Sequence, residues 1–211
     1  MIEVDGIHYY INSQQTSASV GNNTQDVSSG LSSDSINSII LNIRPYITKE
    51  EKNYPVTSIS AYAFWKANAE QIILPSTIIS LGWACFGCTP NLKYIHIPSD
   101  ILITYMGVHM FWGSYLKYFD LPTKIKNINA NAFESSNIED IYYCGNGINV
   151  NLQNHNLKRV HVSSNYRYDK LFGIDVIRDH YCKPSDCNFK TCKKLFNNKY
   201  YLVVSMIIIS T

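Results

Sequence analysis

The chain has 211 residues, 45% apolar, 13% aromatic and 16% charged, with a formal net charge of +2. An average domain carries about 25% charged residues, so charge is scarce here and apolar surface is not. Disorder is excluded, because it needs low hydrophobicity and high net charge. A nucleic-acid binder relying on bulk electrostatics is excluded by the small net charge. The bias in composition is toward 27 Ile, 21 Asn and 16 Tyr.

The N-terminus, MIEVDGIHYYIN, has neither a basic region nor an apolar core of the kind that marks a secretory signal peptide. Residues 1–30 read as an N-terminal cap whose later part is rich in Ser, Asn and Gln. That part contains the sequon Asn22-Asn23-Thr24.

From residue 31 to residue 177 the chain repeats. Phe64, Phe86, Phe111 and Phe133 act as anchors, spaced 22, 25 and 22 residues apart. Eight and five residues before them stand Val56 and Ile59, Ile78 and Leu81, Ile103 and Met106, Ile125 and Ile128. Eight and ten residues after Phe64, Phe111 and Phe133 stand Ile72 and Leu74, Phe119 and Leu121, Ile141 and Tyr143. Ile95 and Ile97 follow Phe86 with one residue inserted, and Pro75, Pro98 and Pro122 close three units. Weaker flanking units place Leu31, Ile36, Ile39 and Leu41 upstream, and Leu152, Leu157, Val160 and Val162 downstream. Units of this length cannot bury an apolar face alone, so they stack and share one core. The segments QIILP, YIHIP, YFDLP, DIYYC and RVHVS alternate with period two and read as short parallel strands.

Alternation also names the outward residues of those strands: Ser38 and Ile40, Gln71 and Ile73, Tyr94 and His96, Tyr118 and Asp120, Asp140 and Tyr142, Arg159 and His161. In a solenoid such residues line the concave face. The last four pairs carry Tyr and Arg, residues favoured where proteins bind one another. Tyr94, His96, Tyr118, Asp120, Asp140, Tyr142, Arg159 and His161 are therefore the candidate ligand-binding residues. The bland alternative is that they only keep the face soluble.

Catalytic chemistry finds no support, since G-x-S-x-G, P-loop, H-E-x-x-H and dinucleotide signatures are all missing. No cofactor and no metal are expected. Cys85 and Cys88 form a CxxC, but Cys85 takes the repeat position of Ala63 and Ala132, where a thiol acts as a small hydrophobe. His180, Cys182, Cys187 and Cys192 could ligate zinc, pair as disulfides or stay free. Their spacing is wider than zinc sites favour. Residues 178–211 hold six Lys or Arg against two Asp and end in YYLVVSMIIIST. This basic tail suits contact with an anionic membrane surface, the alternative being a solvated tail with a final strand. Its 12 apolar-rich residues would cover about 18 Å as a helix, short of a bilayer's hydrocarbon core of about 30 Å.

The run ILPSTIISLGWACFGCTPNLKYIHIPSDI resembles the BspA-like (treponemal-type) leucine-rich repeat, whose units read like I-x-x-I-G-x-x-A-F-x-x-C-x-x-L-x-x-I-x-I-P. VDGIHYYINSQQTSASVGN is similar to the cap of such proteins. HVSSNYRYDKLFGIDVI is similar to the segment that ends the array in the protozoan surface-antigen branch. The resemblance implies a mostly β leucine-rich-repeat solenoid, with short parallel strands on the concave face and loops or short helical turns on the convex face. It implies a non-catalytic adhesion or protein-recognition module at the cell surface, binding a protein or glycan of a host or neighbouring cell. The rival is an intracellular scaffold of the same fold.

Overall fold

The computed structural model describes residues 1–22, 29–32, 38–145, 147–148, 150, 152, 154 and 156–179. The expectations for His180, Cys182, Cys187, Cys192 and the apolar C-terminal end lie outside the described residues, as does Ile36.

The cap begins with a hairpin of β1 (Ile2–Val4) and β2 (Ile7–Ile11). Its turn is Asp5-Gly6, with φ of 51° and 71°, the left-handed pair that suits a two-residue hairpin loop. β3 (Ala18–Val20) pairs antiparallel with β2. The short β4 (Ile40–Asn42) follows, then a second hairpin of β5 (Tyr46–Lys49) and β6 (Lys52–Ile59). β3 runs parallel to β6 and so joins the cap to the first repeat. Tyr9, fully buried, accepts the Arg44 backbone N–H on its hydroxyl at 3.1 Å, while the Arg44 guanidinium donates to Asp5 at 2.7 Å. Burial raises the Tyr9 pKa.

The repeats contribute β7 (Gln71–Ile73), β8 (Ser80–Leu81), β9 (Tyr94–His96), β10 (Tyr105–Met106), β11 (Tyr118–Leu121), β12 (Asn127–Ile128), β13 (Asp140–Tyr143) and β14 (Arg159–Val162). β15 (Lys170–Leu171) and β16 (Ile174–Ile177) end the array, β16 parallel to β14 and β15 antiparallel to β16. On the concave face, β4, β7 and β9 form one parallel ladder, and β11, β13, β14 and β16 another. On the flank, β8 pairs with β6 and β12 with β10. The interruption between β9 and β11 falls in the long unit, where 25 rather than 22 residues separate the anchors.

The anchors make the interior. Phe64 and Phe86 stack at 5.8 Å between centroids, Phe86 and Phe111 at 5.4 Å, Phe111 and Phe133 at 5.3 Å. Phe119 leans on both Phe111 and Phe133. No α-helix occurs among the described residues. Turns bonded directly to the next repeat take its place. Phe64 N–H donates to Cys85 O at 2.9 Å, Phe86 to Met110 at 3.1 Å and Phe111 to Ala132 at 2.9 Å. Two residues past each anchor, Lys66, Cys88, Gly113 and Ser135 all adopt left-handed φ between 53° and 64°. Part of the Asn excess satisfies the same turns. Asn154 donates to Phe133 O and Ser136 Oγ, both at 2.9 Å, and Asn156 donates to Ser136 O at 2.8 Å.

The core positions expected around the four anchors are buried, except Leu81 and Ile97, which are half-buried. The upstream unit differs. Leu41 lies opposite Ile72, so Leu41 and Ile43 fill the core while Ile39 is 66% exposed. The outward pair of that strand is therefore Ile40 and Asn42, not Ser38 and Ile40. The cause is a backbone bond: Ile39 O accepts from Glu70 and Gln71 N–H, just as Glu70 O accepts from Lys93 and Tyr94. Ile39 thus occupies a rim position.

Candidate recognition face

The strand registers set the outward side chains in two rows. In the first ladder they run Ile40, Gln71, Tyr94 and Asn42, Ile73, His96; in the second, Tyr118, Asp140, Arg159 and Asp120, Tyr142, His161. Within each ladder the rungs lie about 4.8 Å apart, close enough for side chains to touch. The face is neutral at its N-terminal end and carries aromatic and ionisable groups from Tyr94 onward.

These residues are not equally available. Tyr118 is 46% exposed, and His96 and Asp120 are also exposed. Tyr94 and Tyr142 are half-buried. Asp140, by contrast, is buried beneath its neighbours, with a side chain only 2% exposed. Arg159 grips it with two hydrogen bonds, Nε to Oδ1 and Nη2 to Oδ2, the latter at 2.7 Å. His161 lies between two carboxylates, Nε2 at 3.3 Å from Asp140 and Nδ1 at 2.8 Å from Asp179, and its ring stacks on Tyr142 at 4.6 Å. Asp140 and Arg159 thus form a structural pair in the floor of the face, with half of the guanidinium still open to solvent. Asp179 belongs to this group although alternation did not name it, since it follows β16 rather than standing on a strand.

The electrostatics follow from these contacts. Arg159 holds the Asp140 carboxyl below the ordinary range, with His161 assisting. Desolvation on the inside of the curve raises the Asp120 pKa, although the residue stays solvent-accessible, and lowers that of His96. Tyr142 is raised by burial and by the charges of Asp140, Asp120 and Asp179. A folded-state carboxyl below its unfolded value stabilises the fold above the unfolded pKa and loses that contribution as pH falls through the folded pKa. Replacing Arg159 by Met removes the largest cause of the Asp140 depression. Acid unfolding followed by far-UV circular dichroism is then expected to begin at a higher pH than in the parent protein. An unchanged acid midpoint would show that the pair is not coupled to folding.

Sequence reasoning missed a second group on the turn side. Tyr62, Trp65, Trp112, His109 and Trp83 close a ring of aromatic contacts, with successive centroids between 5.0 and 6.5 Å apart. Trp65 and Trp112 belong to alternate repeats and stack at 5.7 Å over Gly87, where a Cβ would come within 2.4 Å of the Trp65 ring. Beside this ring, at the interrupted unit, Leu81, Trp83, Tyr105, Gly107 and Val108 line a cavity of about 440 Å³.

Cys85 and Cys88 are free, and burial raises both thiol pKa values, which suits packing and not nucleophilic chemistry. Among the described residues no three His, Cys, Asp or Glu side chains converge as a metal site would require. Nor is any described helix long and apolar enough to cross a membrane.

Comparison with known proteins places this geometry. No curated protein matches the chain. A leucine-rich repeat protein from Bacteroides ovatus, solved by crystallography, superposes with a TM-score of 0.59 at 22% identity. The match covers 79% of this chain and 48% of that one, so the chain spans about half that protein's length. A second, from Bacteroides capillosus, gives a TM-score of 0.51 at 21% identity over 67% of this chain and 96% of that one. Both likenesses speak to the fold. The profile of the BspA type leucine rich repeat region matches residues 41–156 in six copies, more than half of the chain. The protein is therefore a member of the BspA-type leucine-rich repeat family, with a mostly β fold of the type that generally serves protein interaction.

Proposed function

We propose that the protein is a non-catalytic recognition module that acts at a cell surface. Its ligand, a protein or glycan of a host or neighbouring cell, binds on the concave face from Tyr94 to His161. The observation that carries this reading is the set of exposed and half-buried Tyr, His and Asp side chains carried by β9, β11, β13 and β14. These offer large contact area with polar tips on a rigid sheet. Such a sheet orders few side chains on binding, which keeps the entropic cost low. The similarity of the closing segment 161–177 to the segment that ends the array in the protozoan surface-antigen branch supports a surface role.

The test replaces exposed residues and spares the Asp140–Arg159 pair, whose loss would disturb the fold. The double variant His96→Ala/Tyr118→Ala is expected to keep the parent circular dichroism spectrum. Its binding to cells or matrix should fall about tenfold or more, the effect of losing about 1.4 kcal/mol or more at a hot spot. Parent-level binding by the folded variant would remove the concave face from consideration. Surface labelling of intact cells separates this reading from an intracellular scaffold, for which no label would be incorporated.

A further inference from the structure

Three carboxylates lie in or beside the floor of the concave face, and two are answered. Asp140 is held by Arg159 and His161, and Asp179 by His161. Asp120 is different: among the described residues no hydrogen-bond donor and no cation reaches its carboxylate. It stands on β11 opposite Tyr142 of β13, two residues beyond Tyr118 on the same side of its strand. On the other side lies β9, which carries His96, an imidazole whose pKa burial lowers. The near neighbours of Asp120 on this face are thus two phenols, Tyr118 along its strand and Tyr142 across the ladder.

An exposed carboxylate that no group of its own chain neutralises is open to an incoming cation. A bound cation would supply the missing counter-charge. The two neighbouring phenol rings would favour the same cation, because aromatic faces attract ammonium and guanidinium groups. Tyr142, opposite Asp120 in the ladder, already stacks on His161. Charge complementarity therefore selects the occupant. We propose that Asp120, flanked by Tyr118 and Tyr142, receives a lysine or arginine side chain projecting from a protein partner. This rests on the concave-face reading above and names the chemistry that face selects.

The experiment pans the full chain against a displayed library of random heptapeptides and repeats the selection with Asp120→Asn and with Tyr118→Ala. The parent protein is expected to enrich peptides carrying Lys or Arg at one position. A selected peptide should bind Asp120→Asn at least tenfold more weakly. Replacing its basic residue by norleucine should weaken binding to the parent by a similar factor, and the two changes together should do no more than either alone. Asp120→Asn is nearly isosteric and breaks no hydrogen bond or ion pair among the described residues, so its thermal midpoint at neutral pH should match the parent's. Enrichment of neutral or acidic peptides, no enrichment at all, or basic peptides indifferent to Asp120→Asn would each overturn the proposal. Peptides that bind both Asp120→Asn and Tyr118→Ala as well as they bind the parent would overturn the concave-face reading itself, whereas loss on Tyr118→Ala with indifference to Asp120→Asn would overturn only the cation proposal, so the two failures are distinguishable.

Discussion

Phe111→Ala is expected to lower stability by about 3–5 kcal/mol, the range for truncating a fully buried aromatic side chain whose site cannot collapse. Phe111 is 1% exposed and touches three other rings, Phe86, Phe133 and Phe119. Its position makes it more than one large core residue among several. The concave ladder is interrupted between β9 and β11, and the flanking pairs β6–β8 and β10–β12 stop on either side of the same unit. What continues across is the aromatic stack, together with turn bonds such as Phe86 N–H to Met110 O at 3.1 Å. In a linear array, cooperativity depends on contacts between nearest neighbours. Removing the ring at the weakest junction should therefore do two things. Urea unfolding should lose midpoint, and the single transition should broaden or divide as the two halves uncouple. Phe133→Ala, within the continuous C-terminal ladder, should cost a similar amount and leave one transition. Equal cooperativity in the two variants would show that the ladder interruption is not a thermodynamic boundary.

That interruption was written in the sequence as a 25-residue spacing among spacings of 22, yet spacing alone could not say which ladder would give way. The core around the four anchors was legible because period and anchor type agree there. Each of the four units states the same apolar positions, and they confirm one another. The upstream unit was not, because Ile39, Ile40 and Leu41 are consecutive. Three apolar residues in a row satisfy either phase of a period-two pattern, and only pairing with β7 fixes which of them turns inward. The recognition face shows the same division. Alternation places Asp120 and Asp140 alike, as outward carboxylates. Their difference arises from the neighbouring rung: Arg159 and His161 stand next to Asp140, while Tyr142 stands next to Asp120. The aromatic ring on the turn side was hidden for another reason. Trp65 and Trp112 are 47 positions apart, and they meet only because Gly87 leaves the intervening turn without a side chain. A residue that contributes nothing but absence is hard to recognise in one sequence.

The same point supports a second large effect, at Gly82. Gly82 and Gly107 occupy equivalent places, each four residues before its anchor, and the sequence treats them alike. The structure separates them. A Cβ on Gly82 would lie 2.3 Å from the Ala61 nitrogen and 2.5 Å from the Ser60 carbonyl carbon. These are backbone atoms, so no side chain can swing aside. Gly82 N–H also donates to Ile59 O at 2.7 Å, which draws the two repeats together at this point. A Cβ on Gly107 would meet only the edge of the Tyr105 ring, at 3.7 Å. Neither glycine is in the left-handed region, so conformational freedom plays no part, and close approach decides. Gly82→Ala must part β6 from β8, and its expected cost of about 3 kcal/mol lies at the upper end for overpacking a rigid site. Gly107→Ala should stay within about 1 kcal/mol of the parent, because the added methyl finds room and the unfolded chain loses freedom. Thermal unfolding of the two variants side by side is the measurement. Equal losses would mean that the repeats close up at Gly107 as tightly as at Gly82, and would contradict the interrupted junction that carries the Phe111 expectation.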